Sequence, residues 1–296
     1  MLAVALKQLS GGVGTLLQQR CLPLAVLADQ RALHTASAAL QEPALEACSR
    51  QQAAQPQAAW GTAQQDVGRL EFQPRFRGLL VDAAGTLLSP SEPAAEVYLR
   101  YAKKYGCNLN PQEVLQRYRQ AYNTPWGHST IRYVGDGRPF WRHIVFESTG
   151  CCNDQMFEEL YDYYARGSSY FVTPGAPESL RRIRAAGIRT AVVSNFDTRL
   201  WRILKELGIS DLFDAVIISA EVHAEKPNPV IFEAACAALG LPPEQCVHVG
   251  DDRRNDLYGA RDSGCFAWLW GQDVFTFEQV ERRLATGNFF DSLTDV

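Results

Sequence analysis

The feature that most constrains the fold is a series of short apolar runs, each of which ends in a small or acidic residue. These runs occupy residues 78–81, 190–193, 215–218, 247–249 and 266–269, and a helical pattern follows most of them. Runs of about four to eight β-prone residues that alternate with helices predict a parallel sheet covered on both faces. Because such crossovers are right-handed, the polar residues that end the strands gather at the carboxyl edge, where ligands bind. We therefore predict a doubly wound, Rossmann-like α/β fold.

A different pattern separates the first apolar run from the second. Residues 91–172 show only helical periodicity, with no clear strand, and are rich in aromatic residues. We predict a second, all-helical domain here, inserted into an α/β core at residues 76–90 and 173–296. Most of its aromatic side chains are expected to fill a small core. Trp126, Tyr133 and Trp141 lie near a polar stretch and are candidates to face a substrate instead.

The first 75 residues differ in composition from the rest of the chain. No acidic residue precedes Asp29, while Arg, Ser, Leu and Ala recur, and a polar stretch runs from Ala63 to Arg77. This composition is typical of an organelle transit peptide followed by a linker. We expect residues 1–75 to direct the protein to the mitochondrion. The chloroplast is the close alternative, and an unstructured tail on a cytoplasmic protein is the third.

Charge and cysteine content exclude several classes of protein. The chain has 29 Lys and Arg against 33 Asp and Glu, so its net charge of −4 gives no basic surface for nucleic acid. Its apolar runs fall short of the about 20 residues that a membrane span requires. Eight cysteines without a CxxC spacing predict buried thiols in a reducing compartment rather than disulfides or a zinc site. The oligomeric state cannot be read from the sequence.

Four polar motifs follow the predicted strands in order. They are Asp82-Ala83-Ala84-Gly85-Thr86, Ser194-Asn195, Lys226-Pro227 and Gly250-Asp251-Asp252, the last extending to Asp256. Each motif alone is common, since Asp, Ser and Asn are frequent in turns. Together the motifs resemble the haloacid dehalogenase-like (HAD) hydrolase superfamily from about residue 77 to residue 270. Residues 194–197, 225–232 and 248–251 are most similar to the subgroup called HAD-like hydrolase domain-containing protein 3.

The resemblance implies a role for each motif. Asp82 would be the nucleophile that forms a covalent aspartyl intermediate. Ser194, Lys226, Thr86 and Asn195 would bind a small, phosphorylated substrate, and Lys226 would also neutralise charge. Hard oxygen ligands would hold Mg²⁺; the candidates are Asp82, the main-chain carbonyl of Ala84, Asp251, and less directly Asp252 and Asp256. An alternative for Asp252 and Asp256 is that they stabilise the start of a helix. The helical insertion would be the cap that closes over the site.

The sequence departs from the pattern of this superfamily at Ala84. Phosphatases of the superfamily carry a second Asp at this position, whose carboxyl protonates the leaving alcohol and then activates water. Alanine keeps the main-chain carbonyl but has no proton to give. Loss of general acid catalysis costs about 10² to 10⁴ in rate. Another residue, such as His128 in the insertion, is a candidate replacement.

Several alternatives therefore stay open. The leaving group could need no proton, as in an acyl phosphate or a halide. A dehalogenase is disfavoured because such enzymes usually lose the acid at position 251. A phosphonatase shares the Asp-x-Ala-Gly-Thr pattern but needs a lysine in the cap, where only Lys103 and Lys104 occur. Finally, the chain could be a weakly catalytic protein that binds phosphorylated ligands or regulates a partner.

Overall fold

A computed structural model describes residues 75–126 and 131–287. The predicted targeting segment, almost all of the predicted linker, and His128 lie outside these ranges. Within them, five parallel strands form one sheet in the order β5-β4-β1-β6-β7. The strands are β1 (Gly78–Val81), β4 (Arg189–Ser194), β5 (Ala215–Ile218), β6 (Cys246–Gly250) and β7 (Phe266–Leu269). The predicted parallel α/β core is confirmed.

Side chains of the central strands alternate between two apolar clusters, one on each face of the sheet. Leu79 and Val81 pack into the larger cluster, whereas Leu80 between them packs into the smaller one with Ile231 and Phe232. This alternation follows from the two-residue period of a strand. Burial on both faces explains why the strands read as continuous apolar runs.

Helices cover both faces of the sheet and connect its strands. They are α5 (Ala176–Ala185), α6 (Arg199–Glu206), α7 (Ser219–Val222), α8 (Pro229–Leu239), α9 (Gly259–Asp262) and α10 (Phe277–Thr286). A π-helical segment, Arg253–Tyr258, leads into α9. None of the helices in the described part of the chain is long and apolar enough to cross a membrane.

Four α-helices form the described part of the insertion that follows β1. They are α1 (Ala94–Ala102), α2 (Pro111–Asn123), α3 (Arg138–Thr149) and α4 (Asp154–Tyr163). Asn110 and Glu113 form a reciprocal capping box at the start of α2, and the Asn153 side chain caps α4. Both starts agree with the helical patterns in the sequence.

The prediction that residues 91–172 are entirely helical is wrong at their end. Strand β3 (Tyr170–Val172) pairs antiparallel with β2 (Leu88–Pro90), and this ribbon lies where the chain enters and leaves the insertion. Each strand has three residues, too few for a period-two pattern to emerge from the sequence. The paired residues are also 80 or more positions apart in the sequence, so no hairpin signal exists between them.

Candidate active site

Asp82 is the first residue after β1 and lies at the carboxyl edge of the sheet. Its main-chain N–H donates to the Val249 carbonyl at 2.9 Å, which fixes the backbone against β6. Its Oδ1 accepts hydrogen bonds from Lys226 Nζ at 2.6 Å and Ser194 Oγ at 3.3 Å. Its Oδ2 is buried and has no hydrogen-bond partner within the described residues. A buried, unpaired carboxylate oxygen is costly unless a ligand supplies the missing contact.

Lys226 connects two buried carboxylates. Its ammonium donates to Asp82 Oδ1 at 2.6 Å, to Asp256 Oδ1 at 2.6 Å and to the Val193 carbonyl at 2.9 Å. Burial lowers the pKa of Lys226, but the adjacent Asp256 and Asp82 carboxylates outweigh burial and raise it above its ordinary value. The lysine therefore stays charged and holds the two acids together.

Asn195 holds the backbone of Lys226 from both sides. Asn195 Oδ1 accepts the Lys226 N–H at 2.6 Å, and Asn195 Nδ2 donates to the Lys226 carbonyl at 3.0 Å. The sequence-based prediction was that the Asn195 side chain binds the substrate. In the structure, both of its polar atoms position Lys226 instead, since β4 and the loop before α8 lie side by side.

Three carboxylates gather at the same edge of the sheet. One ligand atom each from Asp82, Asp251 and Asp256 lies within 4.8 Å of the others. A side chain at position 85 would lie 2.5 Å from Asp251 Oδ2, and one at 250 would lie 2.3 Å from Asp256 Cγ. Glycine is required at both positions because the acids approach the backbone so closely. Carboxylate oxygens gathered in this way are the kind of donors that suit Mg²⁺.

Asp256 is held by several protein groups. Besides Lys226, its Oδ1 contacts His248 Nε2 at 3.0 Å, and its Oδ2 accepts the Asp252 N–H at 2.9 Å. Its carboxylate is therefore turned toward protein donors, which fits a supporting position behind Asp251. The sequence singled out His248 only as part of a similar motif, and its contact with Asp256 was not predicted.

Asp252 lies in a different environment from the other acids. Its Oδ1 accepts the N–H groups of Arg254 and Asn255 at 2.9 and 2.8 Å, so it caps the π-helical segment. It does not belong to the three-carboxylate cluster. Of the two interpretations of Asp252 from the sequence, helix capping is the one that describes its contacts.

Thr86 and Ala84 follow Asp82 in the same loop. The Thr86 hydroxyl is buried and has no partner among the described residues, while its carbonyl accepts Thr173 Oγ1 at 2.6 Å. An unpartnered hydroxyl four residues after Asp82 is available to a ligand. Ala84 is half-buried, so this position of the loop carries a methyl group and no carboxyl.

Two core carboxylates bind the helical insertion, and neither contact was predicted. Glu225, next to Lys226, accepts the main-chain N–H of Arg132 and that of Tyr133, the latter at 3.4 Å. Asp197, close to Ser194, accepts the indole N–H of Trp141 at 2.8 Å. Both acids are adjacent in sequence to the site motifs, but their partners are 56 or more residues away. The insertion is thus held against the loops that carry the site.

The aromatic candidates in the insertion are mostly internal. Tyr133 and Trp141 are each only 2% exposed and pack in one cluster with Phe140, so the expectation that they face a substrate is not met. Trp126 is half-buried and lies against the His143 ring at a centroid distance of 4.9 Å. Lys104 forms an exposed ion pair with Glu159 at 2.7 Å. That pairing gives no support to a Schiff-base lysine.

Glu225 makes the attachment of the insertion sensitive to pH. Burial raises the pKa of Glu225, against the opposing effect of the Arg132 and Tyr133 N–H groups and the Arg132 guanidinium. Since the folded pKa exceeds the unfolded one, the stability it contributes is present at low pH and lost as pH rises through the folded pKa. We expect the unfolding free energy of Glu225→Gln, relative to wild type, to increase between pH 4.5 and neutral pH.

Urea denaturation of both proteins at the two pH values measures this difference. The matched control is Glu244→Gln, at an exposed glutamate on the opposite edge of the sheet, which leaves Glu225 and its contacts in place. If the unfolding free energies of Glu225→Gln and wild type change in parallel with pH, burial does not raise the pKa of the Glu225 carboxyl.

Comparisons with known proteins agree with the geometry. A family model for haloacid dehalogenase-like hydrolases matches residues 76–264. The chain is 33% identical over 206 residues to "Haloacid dehalogenase-like hydrolase domain-containing protein 3" of Homo sapiens, covering 66% of this chain and 82% of that protein. An HAD phosphatase from Thermococcus onnurineus is 26% identical with a TM-score of 0.52, covering 71% of this chain and 98% of that one. L-2-haloacid dehalogenase from Xanthobacter autotrophicus shares the fold, with a TM-score of 0.53 at 20% identity. The match covers 72% of this chain and 84% of that one.

Proposed function

The chain belongs to the haloacid dehalogenase-like hydrolase family, and from this we propose that it is a Mg²⁺-dependent, phosphatase-type hydrolase that forms an aspartyl intermediate on Asp82. The observation that carries the proposal is the asymmetry of the Asp82 carboxylate. Oδ1 is held by Lys226 and Ser194, whereas Oδ2 is buried and lacks a partner. A carboxylate fixed through one oxygen presents the other to an electrophile in a single orientation.

Several residues around Asp82 would bind a phosphoryl group, each through a different contact. Ser194 and Thr86 offer hydroxyl donors, and the Lys226 ammonium balances negative charge in a site from which water is largely excluded. Asp82, Asp251 and the Ala84 carbonyl would hold Mg²⁺, with Asp256 behind them. The bound ion would supply positive charge to the phosphoryl oxygens.

Ala84 limits the substrates that the site could hydrolyse to those with a good leaving group. Without a carboxyl at this position, the loop after β1 has no group to protonate a leaving alkoxide. A leaving group that is already a weak base, such as the carboxylate of an acyl phosphate, departs without a proton. We therefore propose small acyl phosphates, or phosphate compounds with similarly good leaving groups, as the preferred substrates. The similarity to a phosphatase at 26% identity supports phosphoryl chemistry over removal of a halide.

A second candidate function rests on the same residue. Because Ala84 removes the usual acid while Lys226, Ser194 and Thr86 remain around Asp82, the protein could bind phosphorylated ligands without turning them over. The binding function predicts saturable binding of a phosphate compound at the Asp82 site without release of phosphate, whereas the hydrolase function predicts that phosphate is released.

Phosphate release from a panel of acyl phosphates and alkyl phosphate esters tests the proposal. We expect Mg²⁺-dependent release from acyl phosphates, slower release from alkyl esters, and loss of both on adding a chelator, because the three-carboxylate cluster would then lack its cation. Restoring Mg²⁺ should restore the rate. Release that is unchanged by the chelator would contradict the metal assignment, and no release from any compound would favour the binding function.

A further inference from the structure

Three buried thiols meet at the edge of the sheet opposite the candidate active site. Cys236 lies on α8, Cys246 is the first residue of β6, and Cys265 immediately precedes β7. They are 3%, 0% and 5% exposed, respectively. Cys246 pairs in register with Gly78, the first residue of β1, whereas Asp82 follows the last residue of that strand. The thiol cluster is thus distinct from the carboxylate cluster.

The thiols are close enough to react with one another. Cys236 Sγ lies 3.7 Å from Cys265 Sγ, and all three residues are free thiols. A disulfide requires an S–S distance of about 2.05 Å, so side-chain rotation and a small shift of α8 would bring the two sulfurs together. By contrast, Cys107 donates its S–H to the Thr149 carbonyl at 3.0 Å.

The surroundings distinguish Cys236 from the other two thiols. Hydrogen bonds from Cys246 and Cys265 lower the pKa of Cys236, while the pKa values of Cys246 and Cys265 are raised by donating to Cys236 and by burial. The thiolate form attacks peroxides and disulfides. Cys236 is therefore the thiol that contacts both of the others, and these neighbours are the thiols that can resolve a product formed on it.

We propose that the thiol cluster is an oxidation site, at which hydroperoxides convert Cys236 and Cys265 into a reversible disulfide. The Cys236 thiolate attacks one peroxide oxygen and breaks the O–O bond, giving a sulfenic acid and hydroxide. The Cys265 sulfur then attacks the Cys236 sulfur, the S–OH bond breaks, and water leaves. Each peroxide is reduced by two electrons, and the two thiols together are oxidised by the same number.

The disulfide would join two segments that support the carboxylate cluster. Helix α8 starts three residues after Lys226, and Cys265 comes soon after α9. These segments already touch, because a side chain at Gly259 would lie 2.9 Å from the Pro227 backbone. Oxidation at the far edge of the sheet would thus clamp the helix that follows Lys226 against the helix that follows Asp256. The proposal does not depend on the phosphatase function.

Peptide mapping of the full-length protein after mild treatment with hydrogen peroxide tests the proposal. Remaining thiols are alkylated under denaturing conditions, and the protein is digested without reductant. We expect a cross-linked peptide that joins Cys236 to Cys265 and that disappears on treatment with dithiothreitol. Its yield should exceed that of any cross-link involving Cys151 or the exposed Cys152.

Three alanine variants separate the roles of the thiols. Cys246→Ala should retain the cross-link, whereas Cys236→Ala should lose it. Cys265→Ala should leave a sulfenic acid on Cys236 that dimedone traps, and this readout serves if Cys236→Ala fails to fold. The proposal would be overturned if Cys236 and Cys265 stay fully alkylatable while Cys152 is oxidised. A cross-link that joins Cys236 mainly to Cys246 would overturn the assignment of the pair.

Discussion

Asp82→Asn is expected to reduce Mg²⁺-dependent phosphate release by about 10⁴-fold or more, because the amide cannot act as the nucleophile. Asparagine keeps the shape of aspartate and can still accept hydrogen bonds from Lys226 and Ser194 through its oxygen. The protein should therefore remain folded, and the loss should appear in kcat. Initial rates with the best compound of the panel, measured at equal concentrations of folded protein, give the comparison.

Asp252→Asn is the matched control for this substitution. Asp252 also lies at the carboxyl edge of the sheet, but its side chain caps the π-helical segment, a task that asparagine performs equally well. Its activity should stay near that of wild type. Substantial activity in Asp82→Asn, or an equal loss in both variants, would exclude Asp82 as the reacting group.

Ala84→Asp is expected to increase the hydrolysis of alkyl phosphate esters by about 10² to 10⁴, which corresponds to roughly 3 to 5 kcal/mol of activation barrier. The new carboxyl would protonate the alkoxide as it leaves and then activate water. Acyl phosphates should gain little in the first step, since their leaving group needs no proton. The quantity to measure is the ratio of the rates at which esters and acyl phosphates phosphorylate Asp82 in the first step.

Ala84→Asn separates proton transfer from a change of shape. The amide has nearly the size of the carboxyl but cannot deliver a proton as an acid. We expect Ala84→Asn to hydrolyse esters no faster than wild type. An equal gain in both variants would show that the effect comes from packing around Ala84, and no gain in Ala84→Asp would mean that another residue already supplies the proton.

The polar residues of the site could be predicted because each follows a strand of a parallel sheet. Asp82, Ser194 and Asp251 all end apolar runs, and the carboxyl ends of parallel strands meet at one edge. The loop that carries Lys226 was placed by its motif and by the short distance to the next strand. The sequence therefore contained the order of these residues and the edge of the sheet at which they meet.

Other features depend on contacts that no local pattern records. The attachment of the insertion through Glu225 and Asp197 joins residues 56 or more positions apart. The three-residue strands β2 and β3 pair across the whole insertion. The resemblance to the family implies a substrate contact for Asn195, whereas its amide hydrogen-bonds the Lys226 backbone in the structure. These outcomes follow from tertiary packing, which overrides local sequence signals.

The covalent state of Asp82 during turnover tests the central claim most directly. Acid quenching of the reaction with an acyl phosphate, followed by peptide mass spectrometry, would detect a phosphoryl group on the peptide that contains Asp82. Ala84 provides no base to activate water. We therefore predict that phosphorylated Asp82 accumulates in the wild type and decays faster in Ala84→Asp. Hydroxylamine should cleave the phosphoryl group from Asp82. Phosphate release without any phosphoryl group on Asp82, or with the group on another residue, would contradict the account.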